Sequence, residues 1–150
     1  MSTPPQAFDI AHAAQVLVRD QFCIQAGETV IVTADTATDR AAIEAILAAA
    51  AGVGAKAMLI LSAQLPYQGK LADPYIPDAL ASAAADSDAW FDMTFPYMAG
   101  SSAHDRAMKA GRTRYPDNRG EKPLRQAVEH IADVADERTA HGGRIYPTRF

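Results

Sequence analysis

The stretch Thr29–Ser62, TVIVTADTATDRAAIEAILAAAAGVGAKAMLILS, contains two apolar runs separated by an alanine-rich segment. Thr29–Thr33 is rich in β-branched residues and predicts a buried strand. From Thr38 the strong helix former alanine dominates, and the apolar stripe predicts a helix that Gly52 and Gly54 end. Its members are Ile43, Ile46, Leu47 and Ala50. The run KAMLILSA then predicts a second strand.

Strand, helix and strand in this order form a βαβ unit with parallel strands. Upstream, the segment IAHAAQVLVRDQFC predicts a helix capped by Asp9. Downstream, AWFDM predicts a third strand, and SAHDRAMKAG predicts a helix that begins at Ser101 or Ser102 and ends at Gly111. The predicted fold is therefore α/β: a three-layer open sheet of three or four mainly parallel strands flanked by helices, with a divergent helical tail.

Composition and charge argue against several classes of function and location for this chain. The chain has 150 residues and a formal net charge of −4, which argues against a nucleic-acid-binding module. Cys23 is the only cysteine, so an internal disulfide is excluded and a reducing cytoplasm is expected. The first residues do not resemble a secretory signal, and the apolar runs are too short for a membrane span.

The first candidate site is TADTATD, which follows the first strand. Asp35, Thr36 and Asp39 are candidate binding residues, because ligands of open α/β sheets bind beyond the carboxyl ends of the strands. The stronger interpretation is structural, with Asp35 or Thr36 turning the chain and Thr38 or Asp39 capping the helix. The stretch contains no glycine, which argues against nucleotide binding at this turn.

The second candidate site is FDMTFPYMAGSSAHD, which follows the third strand. Thr94 and Tyr97 are its candidate binding residues, with Asp92, His104 and Asp105 nearby, although packing is the favoured role of this aromatic stretch. His104 and Asp105 are adjacent, a spacing that does not suit one metal ion on a helix. His12, His130 and His141 are isolated in sequence, so each is expected at the surface or on a helix face. Cys23, at an apolar helix end, predicts a buried and inert thiol.

Three segments together carry a resemblance to a known family: AAQVLVRDQFCIQAGETVIVTADTATD, AILAAAAGVGAKAMLI and LADPYIPDALASAAADSDAWFDMTFPYMAGSSAHDRAMKAGRTRY. They resemble the amino-terminal domain of the leucyl aminopeptidase-like metallopeptidases, the family of aminopeptidases T and S. A bacterial branch of that group is similar to the iron-dependent dihydroxypyridine ring-cleaving dioxygenases. The likeness covers Asp9 to Tyr115 and rests on a domain-wide pattern.

The resemblance implies a dimeric, two-domain metalloenzyme whose divalent zinc, cobalt or iron is held by Glu, His and Asp ligands in the carboxy-terminal half. None of these ligands has a matching position here, so this chain is expected to bind no metal and to be inactive alone. The expected role is scaffold, dimer partner and active-site wall. The alternative is a stand-alone ligand-binding or interaction module that uses the loops after the first and third strands.

The resemblance ends near Pro116, where the expected fourth strand after RTRY gives way to a polar segment. We therefore expect a disordered tail at 1–8, an α/β domain at 9–115 and a divergent tail at 116–150. A truncated or frame-shifted product and a natural stand-alone remnant both agree with this ending. The missing strand predicts an open sheet edge and self-association. A tail helix from Pro123 to Ala140 is the candidate cover, through Leu124, Val128, Ile131 and Val134.

Overall fold

The computed structural model describes residues 5–116. Helix α1, Pro5–Gln15, continues as a π-helical turn, Val16–Gln21. Strand β1, Thr29–Asp35, is followed by helix α2, Arg40–Gly52, and strand β2, Lys56–Ser62. A 3-10 segment, Gly69–Tyr75, precedes helix α3, Asp78–Ala85. Strand β3, Ala89–Asp92, and helix α4, Ser102–Ala110, complete the described elements.

The sheet has the strand order β2-β1-β3 and both pairings are parallel. Thr29 is in register with Lys56 of β2, and Val30 is in register with Ala89 of β3. The expected open α/β fold is therefore confirmed. The order follows from two crossovers. Helix α2 connects β1 to β2 on one side, and α3 then connects β2 to β3 on the other side of β1.

Two hydrophobic clusters cover the two faces of the sheet, and the alternation of β1 places its residues between them. Val30, Val32 and Ala34 pack with α1 and α2 in the first cluster. Ile31 packs with Trp90 and with α3 and α4 in the second cluster. These helices on both faces make the three predicted layers.

The predicted helix boundaries at α2 and α4 are confirmed. Asp39 is extended, with φ −64° and ψ 126°, and its carboxylate accepts hydrogen bonds from two backbone N–H groups in the first turn of α2. Ser101 caps α4 in the same way through the backbone N–H of His104. Gly111 ends α4 with φ +74°, a left-handed conformation that favours glycine.

The structure corrects two expectations about the first helix. Asp9 does not cap it, because α1 begins at Pro5 and Asp9 lies within it. Cys23 is exposed rather than buried. The chain turns sharply after the π-helical turn, and Cys23 has φ +49°. This turn directs Phe22 and Ile24 into the core and leaves the thiol at the surface.

The segment RTRY adds one residue to the sheet beside β3. Arg114 forms a parallel bridge with Ala89. Its guanidinium donates to the backbone oxygens of Phe22 and Asp88 and to the Glu28 carboxylate, 2.6 Å away. The predicted tail helix and its four apolar residues lie outside the described residues. Within residues 5–116, no helix has the length and apolar composition required to cross a bilayer.

Candidate functional site at the carboxyl edge of the sheet

The carboxyl ends of β1 and β3 form the point where the strand order reverses, which is the usual ligand position in open α/β sheets. The loops after these two strands, 36–39 and 93–101, meet there. All five predicted binding residues lie at this edge: Asp35, Thr36, Asp39, Thr94 and Tyr97. The two loops therefore share one edge of the sheet.

Asp35 is buried and joins the two loops through its carboxylate. Oδ1 accepts a hydrogen bond from the backbone N–H of Ala37 at 2.8 Å, which closes a turn within the first loop. Oδ2 accepts one from the backbone N–H of Phe95, also at 2.8 Å, in the second loop. The hydroxyl of Thr38 adds a second link, because it lies 3.0 Å from the backbone oxygen of Met93.

Asp92 organises the second loop from inside the protein. Its Oδ1 accepts hydrogen bonds from the Thr33 hydroxyl and from both the hydroxyl and the backbone N–H of Thr94. Its Oδ2 accepts hydrogen bonds from the backbone N–H of Met98 at 2.7 Å and the Tyr115 hydroxyl at 2.8 Å. Five donors therefore converge on one carboxylate.

Burial dominates the electrostatics of this group. Burial raises the pKa of Asp92 above its ordinary value of 3.8, although the hydrogen bonds it accepts lower the pKa. Burial and the neighbouring Asp92 charge raise the pKa of Tyr115 well above 10. Tyr115 therefore stays protonated at neutral pH and remains a hydrogen-bond donor to the carboxylate.

The Asp92 network continues to the centre of the sheet. The indole N–H of Trp90 donates to the hydroxyl of Thr33 at 2.9 Å, and that hydroxyl donates to Asp92 over the same distance. Trp90 and Thr33 are both fully buried. A polar chain of three side chains therefore connects the core beneath α3 and α4 to the loop after β3.

The predicted site residues consequently have different surroundings. Asp35 and Thr94 are buried and hydrogen-bonded within the loops, and Asp39 caps α2. Thr36 is exposed, and Tyr97 is half-buried with its ring centroid 6.0 Å from that of Phe95. These contacts support the structural interpretation of TADTATD, while ligand binding by the five residues stays a prediction.

The side chains of this network include some that were not among the five predicted binding residues: Thr33, Thr38, Trp90, Asp92 and Tyr115. Thr33 lies within a strand, where a β-branched residue is ordinary, and Tyr115 lies in RTRY, distant in sequence. The only sequence signal was a polar residue directly after an apolar run in each strand, Thr33 in β1 and Asp92 in β3. Their register as direct neighbours in the sheet became evident only from the fold.

A second polar cluster joins the 3-10 segment to α4. Ser102 donates its hydroxyl and its backbone N–H to the Asp73 carboxylate, and Lys70 lies 3.2 Å from the same hydroxyl. Lys70 also forms an ion pair with Asp105. The Ser102 hydroxyl is already engaged as a donor to Asp73, and Lys70 is engaged with Asp105. The cluster is therefore a structural link between two elements.

These hydrogen bonds also explain the pKa values in the cluster. The side-chain and backbone hydrogen bonds from Ser102 hold the pKa of Asp73 below its usual range. The hydrogen bond from Lys70 lowers the pKa of Asp105. His104, on the same helix, is buried, and its Nδ1 accepts a hydrogen bond from the backbone N–H of Gly100 at 3.3 Å. Among residues 5–116, no group of three or more His, Cys, Asp and Glu side chains is arranged to hold a metal ion.

Comparisons with protein-family models and with curated proteins give no match. Among solved structures, the chain is similar to a 2,5-dihydroxypyridine dioxygenase from Pseudomonas putida KT2440. The TM-score is 0.58 with 13% sequence identity over 73% of this chain. The two proteins share a fold. The match takes in 34% of the dioxygenase chain, so this chain spans about a third of that protein's length.

Two further structures give lower scores. Wild-type AmpT from Thermus thermophilus matches with a TM-score of 0.48 and 14% identity, over 85% of this chain and 43% of its own. VinN matches with a TM-score of 0.48 and 16% identity, over 86% of this chain and 27% of its own. The match with a TM-score of 0.58 confirms the expected likeness to a dihydroxypyridine dioxygenase for the fold.

Proposed function

We propose that this chain is a non-catalytic amino-terminal domain of a metalloenzyme related to aminopeptidase T or to the dihydroxypyridine dioxygenases. In this proposal it acts as a scaffold and as one wall of the active-site chamber. The observation that carries the proposal is the hydrogen bonding of Asp35 and Asp92. Both carboxylates lie where a ligand of an α/β sheet would bind, and both accept hydrogen bonds from loop backbone instead.

These hydrogen bonds give the wall its rigidity. A wall must present its surface in one conformation, because a displaced loop loses its contacts with substrate. Asp35 connects the loops directly, and Asp92 fixes the second loop through Thr94 and Met98. The rings of Phe95 and Tyr97 lie on this braced segment and provide an aromatic surface.

The metal would belong to a different domain. The fold shared with the dioxygenase supports this division, because the present chain corresponds to about a third of that protein. Under the proposal, the zinc, cobalt or iron ligands lie in the remaining part of the enzyme. The described residues then contribute shape and hydrogen bonds to the chamber, and no step of the chemistry.

Metal retention and turnover test the proposal directly. The purified chain is incubated with Zn²⁺, Co²⁺ or anaerobic Fe²⁺, desalted, and analysed for bound metal by plasma mass spectrometry. The same samples are assayed with leucine p-nitroanilide and with 2,5-dihydroxypyridine under oxygen. We expect far less than one metal per chain and no turnover, whereas stoichiometric metal with turnover would overturn the proposal.

A positive test uses the protein in its source cells. Antibodies against the chain isolate the endogenous polypeptide, and its intact mass and metal content are measured. We expect a polypeptide or stable complex that contains residues 5–116 and a divalent metal. An endogenous product of 16.0 kDa without a metal-bearing partner would contradict the proposed parentage.

The alternative function is a small ligand-binding module, and one observation favours it. Phe95 is 40% exposed beside the half-buried Tyr97 and near the exposed Thr36, at the reversal point of the sheet. An aromatic surface with a neighbouring hydroxyl suits a small planar molecule. Ligand-induced NMR shifts confined to these residues, weakened in Phe95→Ala, would favour the module over the wall.

A further inference from the structure

Strand β2 has the sequence of an interior strand but lies at an edge of the sheet. Its run AMLIL is apolar at every position, which is typical of a parallel strand covered on both faces. The equivalent residues of β1 are buried. On β2, Met58 is 45% exposed, Leu59 38% and Leu61 59%. The strand therefore exposes side chains that usually require a cover.

Both faces of β2 share this exposure. Leu59 and Leu61 alternate onto the face covered by α1 and α2, where Ala57 packs against that core. Met58 and Ile60 alternate onto the face covered by α3 and α4, where Ile60 packs against that core. A partner that covered one face would leave the other exposed. A further strand, with its own helices on both faces, covers both.

The backbone of β2 calls for the same kind of partner, a further strand. Within residues 5–116, β2 pairs only with β1. In this described part of the chain, the opposite edge of β2 therefore presents N–H and C=O groups without a strand partner. In natural proteins, charged side chains, prolines or bulges usually prevent an edge strand from pairing with another chain. Lys56–Ser62 contains no proline and one charged residue, Lys56 at its first position.

We infer that β2 pairs with β2 of a second copy of this chain, antiparallel across a two-fold axis through Leu59 that is perpendicular to the sheet. This inference is independent of the proposed function. The two sheets would join into one six-stranded sheet, and the interface would be isologous, as most dimer interfaces are.

The register follows from the strand itself. A two-fold axis at Leu59 uses all seven residues, because Lys56 pairs with Ser62 of the partner subunit. Axes at Met58 or Ile60 would pair only five residues. The axis at Leu59 also avoids like charges, since the single lysine lies opposite a serine.

The axis also keeps each apolar face continuous. Leu59 would meet Leu59 of the partner subunit, and Ala57 would meet Leu61 of the partner subunit, on the α1 and α2 side. Met58 would meet Ile60 of the partner subunit on the other side. Stable dimers bury about 1,200–2,000 Å² in total, so helix α2, which contacts β2, would also contribute to the interface.

The first test measures the oligomeric state. Light scattering coupled to size-exclusion chromatography gives the mass of the protein across a hundredfold range of concentration. We expect a mass of about twice 16.0 kDa at high concentration. Leu59→Lys should halve it, since charges on an edge oppose pairing. Leu71→Lys is the matched control, because Leu71 is exposed but lies outside β2, and it should leave the mass unchanged.

Disulfide trapping tests the register in a Cys23→Ser background. Leu59→Cys should give a covalent dimer, because directly opposite antiparallel residues have Cα atoms about 4.5–5.5 Å apart, within disulfide range. Leu61→Cys is the matched control. Its two copies would lie about 14 Å apart and should not cross-link. The double variant Ala57→Cys, Leu61→Cys should cross-link again.

Several outcomes would overturn the inference. A monodisperse monomer at high concentration would do so. If that monomer also showed slow hydrogen exchange throughout β2, another part of the same chain would cover the strand. A dimer insensitive to Leu59→Lys would place the interface on another surface. Cross-linking of Leu61→Cys without cross-linking of Leu59→Cys would refute the register.

Discussion

Thr33→Val tests the polar chain that runs from the core to the loop after β3. The substitution preserves the shape of a fully buried side chain and removes its hydroxyl. That hydroxyl accepts from the indole of Trp90 and donates to Asp92, both at 2.9 Å. Valine can do neither, so the indole N–H is left buried without an acceptor and the carboxylate loses a donor.

The expected loss of stability is large for one oxygen atom. An unsatisfied buried donor costs about 1–3 kcal/mol, and a hydrogen bond to a charged group contributes about 1.5–3 kcal/mol. The greater hydrophobicity of valine offsets part of this, so we expect Thr33→Val to lower the free energy of unfolding by about 2–4 kcal/mol. A change of that size lowers Tm by roughly 4–16 °C in a domain of this length.

Equilibrium urea denaturation at fixed protein concentration measures the change, and Thr36→Val is the matched control. Thr36 is exposed, so its substitution should alter stability by less than about 0.5 kcal/mol. A double-mutant cycle with Trp90→Phe should show coupling of at least about 0.5 kcal/mol, because phenylalanine removes the donor that valine leaves unpaired. A Thr33→Val variant within 0.5 kcal/mol of the parent chain would refute the reasoning.

Three further predictions concern the frame around the site. Asp39→Ala should cost about 1 kcal/mol in urea denaturation, because it removes the cap of α2. Gly54→Ala should cost about 1–2 kcal/mol, since Gly54 has φ +84°, whereas Gly52→Ala, without a positive φ, should cost nothing. The hydrogen bond from Arg112 lowers the pKa of Asp88. The stabilising contribution of ionised Asp88 is therefore present above its unfolded pKa of about 4 and is lost as pH falls through its lower pKa in the folded protein. Arg112→Gln should reduce that acid-induced loss in pH-dependent melting, and an unchanged profile would contradict the assignment.

The elements that local chemistry specifies were predicted well from sequence. The β-branched run of β1, the alanine-rich α2 and the apolar run of β2 fix a βαβ unit without tertiary information. Caps are equally local, because Asp39 and Ser101 bond to amides two or three residues away. The same locality makes left-handed Gly111 a clear helix end.

Features that depend on distant contacts were not predictable in the same way. Cys23 is exposed because the turn after the π-helical segment places its neighbours in the core, which helical periodicity does not indicate. The donors to Asp92 come from residues up to 59 positions away. Within residues 5–116, β2 is an edge strand with exposed apolar side chains, and the sequence did not indicate this position because strand order is a tertiary property.

Residue-resolved hydrogen exchange is the most direct test of the central claim, that Asp35 and Asp92 hold the two loops as one rigid wall. The amides of Phe95 and Met98 lie outside helices and strands but donate to these carboxylates at 2.8 Å and 2.7 Å. We expect both to exchange at least a hundred times more slowly than an unstructured chain, since each hydrogen bond must open first. Asp35→Ala should accelerate exchange at Phe95 about tenfold or more and leave Met98 little changed. Exchange of both amides at the unstructured rate in the parent chain would contradict the account.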